Sequence, residues 1–260
     1  MQNVELSPAS VTQRGGDGRN GQADVAATSR PRRRIKMFSV ALAAFTAFVI
    51  MSVVPLWAGY ISSPRGRLSP AEHPWFFPVL ILHVGASTVG LCTSIMQVWP
   101  WLRRKYPRVH RYTGRVYVFA GIYPAGVTAI VLTIFWPFSA VTTFGQDLLA
   151  VLWLSVTTYG FILARRGRTV DHRRWMLRSF ALTASVMLNE ILEPPIEAIL
   201  RLQLHTRLAG SEDVLAQMAN ATDNWMGLTL SIIAVEWWLE RDLLRRSARR
   251  RLTIKATADA

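Results

Sequence analysis

Apolar residues in this chain gather into long runs separated by short polar islands, and the lengths of the runs set the first expectation. Met37 to Tyr60, Trp75 to Trp99, Tyr117 to Trp136, Leu148 to Ala164, Trp175 to Leu192 and Trp225 to Leu239 are each mostly apolar. A helix rising ~1.5 Å per residue crosses a ~30 Å hydrocarbon core in about 20 residues. The pattern therefore predicts an all-α integral membrane bundle of six transmembrane helices. The second run has a tryptophan at each end, where amphipathic rings sit at headgroup level. Gly121 and Pro124 interrupt the third, which lipid-embedded helices tolerate when neighbouring groups satisfy the freed carbonyl. The fifth is expected to stop at Pro194 and Pro195, because proline breaks the hydrogen-bond ladder.

The segments between and around these runs complete the organisation. Residues 1–36 are polar, with glycines at 15, 16 and 18, and are expected to form a disordered basic tail. Residues 243–260 read as a second basic tail. The first run is too long for a signal-peptide core and lacks a small-x-small cleavage site, so it reads as an uncleaved span. Glu193 to Asn224 is the longest connection, and its Ile196 to Leu204 and Val214 to Met218 stretches read either as short surface helices or as parts of a mobile loop. No internal repeat is evident, so the inverted-repeat signature of many secondary transporters finds no support.

Charge orients the bundle. Half of the chain is hydrophobic (51%), yet the net charge is +14. Between runs two and three lie Arg103, Arg104, Lys105, Arg108, Arg111 and Arg115; around the start of run five lie Arg165, Arg166, Arg168, Arg173, Arg174 and Arg178. Arg32, Arg33, Arg34 and Lys36 precede run one, and Arg245 and Arg246 follow run six. The other side has Arg65, Arg67, Arg201 and Arg207. By the positive-inside rule, both termini lie in the cytoplasm. The same islands imply anionic lipid headgroups on the cytoplasmic face as partners, at about 1 kcal/mol per well-placed cation. A nucleic-acid partner is disfavoured, since no recognition fold is evident and the arginines flank apolar runs. Helical spans disfavour an outer-membrane barrel.

Candidate chemistry is sparse. Cys92 is the sole cysteine, which excludes an intramolecular disulfide and a thiolate metal cage. No Ser-His-Asp order, Walker loop, zinc-ligand spacing or dinucleotide fingerprint appears. Two islands stand out: His110-Arg111-Tyr112-Thr113-Gly114-Arg115-Val116-Tyr117 before run three, and Asp171-His172-Arg173-Arg174-Trp175-Met176-Leu177-Arg178 before run five. Spans three and five start on the same side, so the two histidines can share one depth. These elements, with His83 in a Leu-His-x-Gly context and with Gln97, resemble an uncharacterised family of bacterial membrane proteins, domain of unknown function 2306, from about Leu80 to Asn189. The resemblance implies a multi-pass membrane fold and supplies no mechanism.

Two facing neutral imidazoles ligate a haem iron, and nearby arginines pair with the propionates. One haem b between His110 and His172, with Arg111, Arg115, Arg173 and Arg178 as propionate partners, is thus the sharpest cofactor reading, with electron transfer its activity. Its competitor is that the arginines fix topology and bind lipid while the histidines hydrogen-bond the loops.

His83 lies ~12 Å along run two and should face the bundle interior. His83, Gly90 and Gln97 recur every seven residues on one face, either a ligand-facing stripe or a packing seam. Asn189, Glu190 and Glu193 at the outer end of run five are candidate partners for His83, and a His-carboxylate pair would suit a proton- or cation-coupled transporter. Glu236 is expected to pair with an arginine of the cytoplasmic islands. A non-catalytic scaffold or lipid-binding protein is the third class. None of these residue patterns assigns a reaction, a protein partner or an oligomeric state.

Overall fold

The computed structural model describes residues 40, 42–55, 57–59, 74–135, 139–206, 208 and 210–258. The expectations for the tail 1–36, Met37, Tyr60, Arg65, Arg67, Trp136 and Arg207 lie outside the described residues. The chain divides into two units, Met1–Ala47 and Phe48–Ala260. In the first, the described residues are helical, and Thr46 Oγ1 donates to the Leu42 carbonyl (2.8 Å).

The regular structure among the described residues is entirely helical. The helices are α1 (Leu42–Gly59), α2 (Phe76–Val98), α3 (Pro100–Lys105), α4 (Pro107–Val116), a π segment (Tyr117–Ile122), α5 (Tyr123–Phe135), α6 (Ala140–Arg165), α7 (Thr169–Arg201) and α8 (Glu212–Ala258). Four stretches are long and apolar enough to cross a membrane: α1, α2, the continuous helix Pro107–Phe135, and α6. α7 and α8, at 33 and 47 residues, exceed the length required but carry more charge.

Interior and surface are sorted as in a lipid-embedded bundle. The core is Ala86, Tyr117, Val118, Ile122, Ala125, Trp153, Leu182 and Leu228. Hydroxyl residues are buried with it, among them Ser94, Thr128, Thr157, Ser179, Thr183 and Ser185, while Leu82, Val127, Ile134, Phe144 and Ile233 face outward. Small and hydroxyl residues inside and large apolar residues outside are expected where lipid, not water, bathes the exterior.

α2 runs antiparallel to the helix Pro107–Phe135, and its seven-residue stripe is the seam. Gln97 meets Gly114 and Thr113, Gly90 meets Gly121, and His83 meets Ala125 and Thr128. The tightest point is in the middle: a Cβ on Gly121 would lie 2.6 Å from Gly90 Cα. Of the two readings of the stripe, the packing seam is the one the contacts support.

The π segment has a local cause. Pro124 has no N–H to offer the carbonyl four residues back, and the turn before it widens, with Tyr123 N–H donating to the Val118 carbonyl five residues back.

The outer end of α7 differs from expectation. Instead of stopping at Pro194 and Pro195, α7 runs through both to Arg201. The prolines leave the carbonyls of Glu190 and Ile191 without ladder donors, but both residues are exposed there, so water replaces the missing N–H groups. A turn at 202–206 follows, packed on a small cluster of Leu204, Leu208 and Leu215. α8 begins at Glu212, so Val214 to Met218 belongs to its first turns and not to a separate surface helix. The basic segment after residue 243 continues the same helix to Ala258.

The Gly90–Gly121 contact is testable. Gly121→Ala should force the helices apart at a cost of about 1–3 kcal/mol. For a chain of this size that lowers the Tm in detergent by roughly 2–4 °C per kcal/mol. Gly59→Ala, whose added Cβ would meet no atom within 4 Å, should not lower the Tm.

Candidate functional site

At the basic end of the bundle the structure brings together His110 and Arg103, from α4 and α3, with His172 and Arg173 from α7. Arg103 and His172 lie close enough to His110 to act on its charge, and Arg173 and Arg104 act likewise on Arg103. Burial, then those two neighbouring cations, lower the Arg103 pKa from its ordinary value. Gln97 anchors α4 here: its Nε2 donates to Thr113 Oγ1 (2.6 Å) and to the His110 carbonyl (3.2 Å).

The two imidazoles are held differently. His172 Nδ1 lies 2.8 Å from the Gly160 carbonyl. Since a carbonyl only accepts, Nδ1 carries the hydrogen and Nε2 presents a lone pair. Gly160 allows this approach, because a Cβ there would lie 2.8 Å from Met176 Sδ on the next turn of α7. His110 Nδ1 is buried and has no hydrogen-bond partner.

The candidate arginines separate into two groups. Arg111 and Arg115 are exposed on α4. Arg178 is bound to α8 by a bidentate pair with Glu236, Nε to Oε1 at 2.5 Å and Nη2 to Oε2 at 2.9 Å. Glu236 thus has the arginine its depth calls for, and the Arg178 guanidinium is committed to it. Arg173 also faces α8, where Asp242 lies 3.8 Å away.

His83 is isolated from this cluster. Its Nδ1 contacts the Ala125 carbonyl (2.9 Å) and Thr128 Oγ1 (3.2 Å) on α5. Among the described residues, no hydrogen bond or ion pair joins it to Asn189, Glu190 or Glu193. Those residues turn to α8 instead. The Asn189 amide nitrogen donates to the carbonyls of Asp223 (3.1 Å) and Ser185 (3.0 Å). Gly227 leaves room for that amide, since a Cβ there would overlap it. Glu190 is exposed, with Glu193 and Asp223 as its charged neighbours.

Sequence reading missed a buried hydroxyl network at the centre. Tyr117 OH lies 2.6 Å from Ser179 Oγ and 2.9 Å from Thr183 Oγ1. Trp153 Nε1 donates to Thr183 Oγ1 (3.1 Å), and Thr157 Oγ1 lies 2.6 Å from Ser179 Oγ. The signal was present as spacing. Trp153 and Thr157, and Ser179 and Thr183, are each four apart, so each pair shares one helix face. Asp147, which accepts from Thr133 Oγ1 (2.6 Å), was also missed.

Asp223 lies just before the apolar run that begins at Trp225. Burial raises its pKa from 3.8 to about 6, against a hydrogen bond from the Asn224 backbone and with help from Glu193 and Glu190. An acid raised on folding favours the native state when protonated, so its contribution is full below pH 3.8 and is lost as pH rises through about 6. The Tm of the wild type should therefore fall over that interval relative to Asp223→Asn. A pH-independent difference between the two melting curves would remove this assignment.

Comparison with known proteins places the chain at the level of family. No curated protein and no solved structure matches it. The sequence model of one family, described as predicted membrane protein (DUF2306), matches residues 80–220, more than half of the chain. That span holds every candidate residue named above from His83 to Glu190, and with it the chain belongs to the DUF2306 family of predicted membrane proteins.

Proposed function

We propose that this protein is a six-span protein of the bacterial cytoplasmic membrane with both termini inside, and that it binds one haem b between His110 and His172 to transfer electrons. The observation that carries the cofactor reading is the buried, unpartnered Nδ1 of His110 beside a His172 whose Nε2 is left as an acceptor. Two imidazole nitrogens are the donors a haem iron takes, and the Gly160 carbonyl on His172 Nδ1 is the kind of contact that orients a ligating histidine. Arg111 and Arg115 are the arginines left for the propionates, because Arg178 is held by Glu236 and Arg173 faces Asp242. A bound haem would supply a one-electron iron couple; the chain's own part is to orient two imidazoles and neutralise two carboxylates.

The six-span count rests on α7 and α8 joining the four apolar stretches. Both present large apolar side chains outward at mid-length, Val186 on α7 and Ile232, Ile233, Trp237 and Trp238 on α8. The charge at depth on this pair is neutralised by the Arg178–Glu236 contact. The haem reading is favoured over the transport alternative because His83 has a carbonyl and a hydroxyl as partners and, among the described residues, no carboxylate.

Two measurements test the reading. Detergent-purified protein prepared with ample haem should show a reduced-minus-oxidised Soret shift at one haem per chain, lost in His110→Ala and in His172→Ala. A featureless spectrum from folded protein would end the haem reading. For topology, single cysteines in a Cys92→Ser background are labelled with an impermeant maleimide. Gln203→Cys should react in intact cells and Arg166→Cys only after lysis; reaction of both from one side would show that α7 does not cross.

A further inference from the structure

α7 and α8 separate slightly at the basic end, leaving a cleft of about 260 Å³ lined by Thr169, Val170, Arg173, Arg174, Leu177, Leu239, Asp242 and Leu243. Its walls divide by chemistry. Val170, Leu177, Leu239 and Leu243 form the apolar side, and Arg173 and Arg174 supply two guanidinium groups. Asp242 lies 3.8 Å from Arg173, whereas no ion pair within 4 Å holds Arg174 among the described residues. Arg174 Nε is buried without a hydrogen-bond partner, although Glu236 acts on Arg174 through charge. A guanidinium N–H removed from water and given no acceptor is costly, and a phosphate oxygen is the acceptor whose geometry a guanidinium matches best. The first turn of α7 borders the same cleft at Thr169 and Val170.

We infer that this cleft is a binding site for a single anionic phospholipid of the cytoplasmic leaflet, its phosphate on Arg174 and its first acyl methylenes along Leu177, Leu239 and Leu243. A cation and an apolar wall side by side fit an amphiphile, whereas a free inorganic anion would leave the leucines wet. Leu243 is 42% exposed and leaves the cytoplasmic side of the cleft open to a headgroup, while Leu239 and Leu177 lie deeper, where the chain runs on toward the bilayer. The assignment rests on α7 and α8 crossing the membrane as proposed above. It does not depend on haem, and loss of lipid retention while maleimide labelling still shows α7 to cross would overturn the lipid site and leave the topology standing.

The test is native mass spectrometry of the full chain released from micelles containing palmitoyl-oleoyl phosphatidylglycerol and phosphatidylcholine in equal amounts. The wild type should retain one phosphatidylglycerol per chain. Arg174→Gln should lower that retention about fivefold or more. Arg166→Gln, which removes the same charge from an exposed position at the end of α6, should leave it unchanged. Leu243→Gln, at an exposed position that does not disturb folding, should lower it as well. Equal loss in Arg174→Gln and Arg166→Gln would mean a diffuse charged face and overturn the site. So would full retention in Arg174→Gln and Leu243→Gln, or displacement of the lipid by an equal concentration of inorganic phosphate.

Discussion

Contact between Gly90 and Gly121 is the constraint on which the bundle depends. Two backbones meet there with no side chain between them, and a single methyl group on Gly121 would reach within 2.6 Å of Gly90 Cα. That closeness sets the register of the seam in both directions. One end of α2 is delivered to α4, where Gln97 ties down the His110 carbonyl, and the other to α5, where His83 meets Ala125 and Thr128. Without a hydrophobic driving force between helices in lipid, close packing of this kind and interhelical hydrogen bonds do the work of association. The hydroxyl network from Tyr117 to Ser179, Thr183, Trp153 and Thr157 extends the same logic from the π segment to α6 and α7.

The sequence made α2 legible in detail, because the stripe of His83, Gly90 and Gln97 needs only one helix to be seen. What it did not disclose was the partner of each stripe residue. That pairing depends on how the chain turns through α3 and Tyr106, and no periodicity encodes the turn. The sign of the Arg178–Glu236 contact was legible for a similar reason, since a carboxylate at depth demands a cation, while the choice of Arg178 among several arginines was settled by α7 and α8 lying side by side. His83 and the outer carboxylates illustrate the opposite case. Their shared side of the membrane made them candidate partners, but helix azimuth sent His83 to α5 and Asn189 to α8.

Local rules failed at Pro194 and Pro195 because solvent changed their consequence. In a dry interior, two orphaned carbonyls would end the helix; at an exposed outer end, water accepts the role of donor and the helix goes on. At Pro124 the freed carbonyl is that of Ala120, which is also exposed but on the surface of an apolar run, where lipid offers no donor, and the chain responds by widening the turn before it. The same residue type therefore produces a continuous α-helix in one place and a π segment in another, according to what surrounds it.

The widened turn has a geometric benefit. Thr113, Tyr117, Gly121 and Ala125 are all buried and lie four residues apart. In a regular α-helix each such step advances ~40° beyond a full turn, so three steps would carry Ala125 about 120° out of phase with Thr113. By taking more residues per turn between Tyr117 and Ile122, the helix absorbs part of that drift, so that Thr113 and Gly121 both meet α2, at Gln97 and at Gly90. The π segment thus works as a phase corrector, matching a four-residue pattern on one helix to the seven-residue stripe of its neighbour.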